Sequence, residues 1–197
     1  MTESPCDGCG KLLLPFRSVH LGSINEGYRH LCLACYNATI AEHCGVDFEH
    51  AEFQPIMLTD ADGASHKFCF ALRLLGDRVA LDAHEIQDDP DGGYGFSVLS
   101  FEPEGEPLEL FRELFEKMRR ALAQKHLEQH DQFGTQFTDS GIVRGTVSCD
   151  LDCDASVRLP MLVIDGKPIT WQKFGEMLMT YEGFSFKLEV YDRSEER

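Results

Sequence analysis

Positive charge is scarce in this chain. Eighteen lysines and arginines stand against 34 aspartates and glutamates in 197 residues, a formal charge of −16. A field of that sign repels phosphate backbones and anionic lipid headgroups, so non-specific nucleic-acid binding loses its main energetic source unless a local basic patch exists. Residues 1–50 are the least repulsive part, with six acids and three bases, yet they hold no positive stripe. Long apolar runs are missing too. None approaches the roughly 20 residues that span a bilayer, which argues against a membrane role. The opening MTESPCDGCG has neither a basic start nor an apolar stretch, so it does not read as a secretory signal. The expectation is a cytoplasmic protein, where disulfides are uncommon. Reaction motifs are the third absence. There is no phosphate-cradling G-x-x-x-x-G-K-[ST], no dinucleotide G-x-G-x-x-G, and no G-x-S-x-G elbow around Ser97, Ser100 or Ser148.

What is present is enough for folded structure. Hydrophobic residues make up 43% of the chain, including 14 phenylalanines, which excludes wholesale disorder. Eight cysteines fall into two sets of four. Cys6, Cys9, Cys32 and Cys35 form two C-x-x-C pairs separated by 22 residues; Cys44, Cys69, Cys149 and Cys153 show no comparable pairing. Zinc takes four thiolates tetrahedrally, and a tight turn lets each pair place both sulfurs on one ion. Gly8 and Gly10 let backbone amides turn toward the sulfurs. Cys35 falls near the first turn of a helix, where the amide end of the dipole favours a negative ligand. A full set of four cysteines leaves no open position for water, so the metal reads as structural. Redox chemistry by C-x-x-C at a helix start is the rival, and having two such pairs favours metal. His20, His30 and His43 lie nearby, but nothing in their spacing prefers them as ligands. Cys44 reads as a small buried hydrophobe.

Around the cysteines, KLLLPFRSVHLG and EGYRHLC predict two strands about a Gly22–Gly27 turn, and YNATIAEHCG a short helix stopped by Gly45. This order of knuckle, hairpin and cysteine pair entering a helix resembles a treble-clef zinc finger over residues 6–44. The resemblance implies Cys6 and Cys9 in the knuckle, Cys32 and Cys35 at the helix start, and Zn(2+) as the cofactor. Such modules bind nucleic acid, ubiquitin or other proteins, or simply stabilise a fold. The remainder resembles an uncharacterised bacterial protein type.

Beyond the connector VDFEHAEFQP, IMLTDADGASHKFCFALRLLG predicts two strands about a turn near Asp62–Gly63, and alternation predicts further strands in RVALDAHEIQ and YGFSVLSFE, forming an antiparallel meander. Residues 107–130 read as one long helix with Leu108, Phe111, Phe115, Met118 and Leu122 in a stripe widened by Leu110, Leu114 and Ala121. A polar loop over DQFGTQFTDSG precedes two more strands, the second read as an edge or bulged strand because of Pro160. A shorter helix follows, capped by Thr170 and burying Phe174, Leu178 and Trp171. FSFKLEVYD predicts a last strand. The fold class is therefore α+β: a treble-clef-like zinc module over residues 1–48, then residues 52–192 as an antiparallel sheet packed by one long and one short helix.

Three weaker constellations invite chemistry. Asp150, Asp152 and Asp154, two apart, can face one way in a strand and hold a hard cation; an exposed acidic turn is the preferred reading of them. His126 and His130 stand one helical turn apart, without a third ligand. His66, Asp82, His84 and Glu85 can meet across neighbouring strands, and an Asp–His pair serves acid–base work, but no nucleophile has a local signature. Together these features predict a zinc-stabilised binding or adaptor protein acting through protein–protein contacts with a basic partner. One alternative is nucleic-acid binding through residues 1–48, using Lys11, Arg17 and Arg29. The other is a metal-dependent hydrolytic enzyme built on the acidic and histidine groups.

Overall fold

The computed structural model describes residues 4–13, 17–25, 27–89, 91–150 and 159–195. These residues form a mixed α+β fold with three helices and several antiparallel sheets. Among the described residues, no helix is long and apolar enough to cross a membrane. Two compact units are present: Met1–Ile56, Phe68–His84 and Phe96–Lys117 form the first, and Met57–Lys67, Glu85–Gly95 and Met118–Arg197 the second.

In the first unit, β1 (Ser18–Ser23) and β2 (Gly27–Cys32) form an antiparallel hairpin with Val19 opposite Leu31 and Leu21 opposite Arg29. Helix α1 runs from Leu33 to Cys44 and ends at Gly45, whose φ of 67° is the left-handed stop that glycine adopts without strain. It begins earlier than YNATIAEHCG predicts because Cys32 takes the N-cap position. No serine, threonine or aspartate announces that start. Leu13, Leu31 and Tyr36 are buried here with Cys6, and Val19, Leu21 and Ile40 pack against them.

The predicted meander is present. Strands β3 (Ile56–Thr59), β4 (Ser65–Leu75), β5 (Arg78–Glu85) and β6 (Gly95–Ser100) lie side by side in chain order. Phe68, Leu72, Leu74, Leu81 and Val98 in this sheet are almost fully buried. Helix α2 spans Pro107–Leu122, and within the first unit the Phe111 ring stacks on Phe53 at 4.9 Å and meets Phe70 edge-on at 5.1 Å. Two expectations for this helix are corrected. Leu108 is largely exposed, and the buried face carries Leu110, Leu114, Lys117, Met118 and Leu122. Lys117 survives burial because its ammonium donates to the Ser97 carbonyl at 3.1 Å. The helix also stops at Leu122 rather than 130.

The reason for that stop lies in the second unit. The Asp165 carboxylate accepts the amides of His126 at 2.8 Å and Leu127 at 2.7 Å, drawing the chain out of helical geometry. Residues Leu127–His130 become β7, paired with β8 (Gly134–Phe137) where a loop is expected. His126 is buried with Nδ1 at 3.0 Å from the Ile142 carbonyl, so His126 and His130 do not share a helix face. Strands β9 (Thr146–Cys149), β10 (Pro160–Ile164) and β11 (Lys167–Thr170) form a sheet in which β10 is central. Pro160 is tolerated there as the strand's first residue, not as an edge marker. Helix α3 (Trp171–Leu178) is capped as predicted, with Thr170 Oγ1 accepting the Lys173 amide at 3.2 Å. Its buried anchor is Met177, packed with Leu127, Phe137, Ile164 and Ile169, while Phe174 sits at the margin of that cluster and Trp171 and Leu178 stay exposed. The predicted last strand is not found: among the described residues, 184–190 join no ladder.

Candidate metal centre

The first cysteine pair sits on a tight turn. The Gly10 amide donates to the Cys6 carbonyl at 2.9 Å, and Gly10 takes a φ of 74°. Sequence neighbours hold the turn against the hairpin: the Asp7 amide donates to the His30 carbonyl at 2.9 Å, and the His30 amide donates to the Asp7 carboxylate at 2.6 Å. The second pair follows from β2 running into α1, which makes Cys32 the N-cap and places Cys35 in the first helical turn. Amides point at sulfur, as the glycine-rich sequence predicts. Gly8 donates to Cys6 Sγ at 3.3 Å, and Cys32 donates to the same sulfur at 3.2 Å. Gly8 also has a steric reason to lack a side chain, because a Cβ there would lie 2.9 Å from Cys35 Sγ.

These elements bring the four sulfurs of Cys6, Cys9, Cys32 and Cys35 within 4.8 Å of one another, a group that could hold a metal ion. Cys9 and Cys32 Sγ lie 3.8 Å apart. A tetrahedral ion with bonds of about 2.3 Å to sulfur requires a sulfur–sulfur separation of about 3.8 Å, so the donor set fits in chemistry and in spacing. Electrostatics favour an ion as well. Burial pushes the Cys6 thiol up, but amides of Cys32, Cys9 and Gly8 outweigh it and bring it to about 6. Burial, and then the three neighbouring sulfurs, push Cys35 up to about 12. Burial also raises Cys32. Thiols this close oppose each other's ionisation, and a divalent cation removes that opposition.

The group contains no histidine. His30 has Ser4 Oγ at 2.9 Å on Nδ1 and Ser18 Oγ at 3.1 Å on Nε2, and its ring stacks on His20 at 4.0 Å. Cys44 corrects another expectation: it is exposed at the end of α1, whereas Cys69 is buried. Among the bases considered for nucleic acid, Arg17 is committed to the connector through a 2.8 Å bond to the Phe53 carbonyl.

The other sequence-selected residues separate. Asp82 pairs with Arg73, whose Nη2 lies at 2.6 Å, and so leaves the expected histidine cluster. His66 does meet Glu85, at 2.6 Å from Nδ1, and acquires a partner that the sequence reading missed, Asp60, at 3.0 Å from Nε2. Both ring nitrogens are thereby occupied by carboxylates, leaving none for a substrate. Asp150 is described and half-buried; Asp152 and Asp154 lie outside the described residues, as does Cys153.

The His66 clamp sets a pH dependence. Burial alone would lower His66, but Glu85 and Asp60 outweigh it and raise the imidazole above its usual value. For Asp60, burial raises the carboxyl, while His66 and the amides of Ala64 and Asp62 lower it further than that. A raised histidine contributes stability that is complete below about 6.5 and is lost as pH climbs through the folded value. A lowered aspartate contributes above about 3.8, and its share is lost as pH falls. The clamp is strongest between those limits. Thermal unfolding of wild type and His66→Gln across acid to mildly alkaline pH is expected to show the widest gap near pH 5–6 and a narrowing gap above it. A gap that does not change with pH rules out this account.

Three families match successive parts of the chain. Domain of unknown function (DUF7685) covers residues 5–47, Domain of unknown function (DUF7686) covers 49–123, and Domain of unknown function (DUF7713) covers 126–195. The first of these spans all four clustered cysteines. No curated protein and no solved structure matches the chain.

Proposed function

We propose that this chain is a zinc-stabilised binding protein whose working surface grips a basic protein segment. In this reading residues 1–48 are a treble-clef-like module, Cys6, Cys9, Cys32 and Cys35 hold Zn(2+), and residues 52–192 are an α+β domain. Four thiolate ligands complete the ion's tetrahedron, so zinc acts on the fold rather than on a substrate. The observation that carries the binding role is a groove of about 890 Å³ in the first unit. Eight carboxylates line it, among them Asp47, Glu49, Glu106, Glu109 and Glu113, over an apolar floor that includes Leu72, Val79 and Leu110. Apolar floor and acidic rim suit lysine and arginine side chains, whose stems bury while their charged ends pair. The same field opposes nucleic acid, and the engagement of Arg17 removes one of the few bases on which that alternative depends. For the hydrolytic alternative, the doubly occupied His66 supplies no free base.

Titration with a lysine- and arginine-rich peptide tests the reading. Binding to the full chain is expected, and the triple variant Glu106→Lys, Glu109→Lys, Glu113→Lys is expected to weaken it at least ~tenfold. The control variant Glu42→Lys, Glu128→Lys, Glu182→Lys makes the same change in net charge away from the groove and should cost less than ~threefold. Equal losses in the two would reduce the effect to net charge and sink the proposal.

A further inference from the structure

Residues Phe184–Val190 carry the clearest strand pattern in the second unit, yet among the described residues they form no ladder. Four large apolar side chains in this stretch face solvent: Phe184 is 75% exposed, Phe186 88%, Leu188 77% and Val190 79%. Between them, Lys187 and Glu189 form an ion pair. Residues two apart meet in this way when the backbone is extended and both side chains lie on one side. The apolar residues then occupy the opposite side. An extended segment with an apolar side and unused ladder positions is a template for pairing with another strand.

We propose that Phe186–Val190 pairs antiparallel with the same segment of a second copy, in a register centred on Leu188. This register is self-complementary. It sets Leu188 opposite Leu188 and Phe186 opposite Val190 on one side, and Lys187 opposite Glu189 twice on the other. Moving the centre by one residue sets Lys187 against Lys187 or Glu189 against Glu189. A parallel, in-register pairing stacks both like charges. Opposite charges directly across a strand pair stabilise it and like charges destabilise it, so the charges select the antiparallel register. A two-fold axis through Leu188 closes the assembly at two copies, since each surface meets its own equivalent. The segment is tethered at its start: the Phe184 amide donates to the Tyr181 carbonyl at 2.9 Å, and the Tyr181 ring packs against Phe137 of the second unit's core. Two strands alone are marginally stable, so the dimer belongs in the micromolar range of dissociation constants.

Sedimentation velocity of the zinc-loaded full chain, across concentrations on either side of that range, reads the equilibrium. Wild type is expected to shift from monomer to dimer. Lys187→Glu and Glu189→Lys, each alone, set like charges opposite one another and should weaken the dimer on the order of tenfold. The double variant Lys187→Glu, Glu189→Lys restores opposite charges in the same register and should recover wild-type association. Leu188→Pro removes a ladder donor at the centre and should leave monomer throughout, with unchanged far-ultraviolet circular dichroism because the residue is exposed. The proposal is overturned by a wild-type chain that stays monomeric, by single reversals without effect, or by a double variant no better than the singles.

Discussion

Under the proposed zinc assignment, substituting Cys9→Ser is expected to abolish metal binding and to unfold the region around α1. Cys9 is the informative choice because it is exposed, whereas Cys6 is also part of the local core. Loss of fold on changing an exposed residue reports lost coordination, not lost packing. The size of the effect follows from the small core around the cysteines themselves. Its buried cluster is Leu13, Leu31, Tyr36 and Cys6 with a few partly covered neighbours, well short of an independent core. A structural zinc site contributes about 10–16 kcal/mol of apparent binding free energy at neutral pH, comparable with the whole stability of an ordinary domain. Elemental analysis of the wild type should find one zinc per chain and four protected thiols; the variant should hold none. Chelation of the wild type should produce the same loss of helical signal. A wild type that keeps its α1 signal under strong chelation, with four titratable sulfurs, contradicts the assignment.

The second large effect is expected at Asn37. This side chain is fully buried within α1 and serves the buried backbone of β4. Its Nδ2 donates to the Leu72 carbonyl at 2.8 Å, and its Oδ1 accepts the Leu74 amide at 2.8 Å. Nδ2 also lies 2.8 Å from His50 Nδ1, and burial lowers the His50 pKa, which favours the neutral ring that can accept this bond. Asn37→Ala strands a carbonyl and an amide away from water, at about 1–3 kcal/mol each, and leaves a void besides. A total loss of about 3–5 kcal/mol is expected in urea or thermal denaturation. Asn37→Asp tests the mechanism at nearly constant volume. It keeps an acceptor for Leu74 but faces the Leu72 carbonyl with a carboxylate oxygen, so it should be no milder than alanine. Losses below about 0.5 kcal/mol for both variants would mean that α1 does not dock on β4 in solution.

These two positions differ in how far the sequence announces them. The cysteines are legible because their clustering is local: each C-x-x-C pair brings two sulfurs together across a turn, within the spacing that one metal ion needs. Strands β3–β6 are legible for a similar reason, since alternation and an Asp-Gly turn act over neighbouring residues. Asn37 carries no such mark. It looks like a weak helix former, and its importance arises from β4 residues 35 and 37 positions further on. Asp60 is likewise silent in sequence, becoming a partner of His66 only when the β3–β4 turn brings it back.

The misread elements share this cause. A helical pattern continues past Leu122 on paper, but the chain leaves it because Asp165, some 40 residues later, captures two amides. Residues 184–190 have every local feature of a strand except another strand beside them among the described residues. By itself the amino-acid sequence determined the acidic field, the four-cysteine set, the α+β composition and most element types, all consequences of residue chemistry and short-range periodicity. Tertiary structure alone decided where α2 ends, which partners saturate His66 and Asn37, that carboxylates gather around one groove, and that Phe184–Val190 is left facing solvent. Those outcomes depend on which distant groups meet, and free energies of contact are set by the neighbour as much as by the residue.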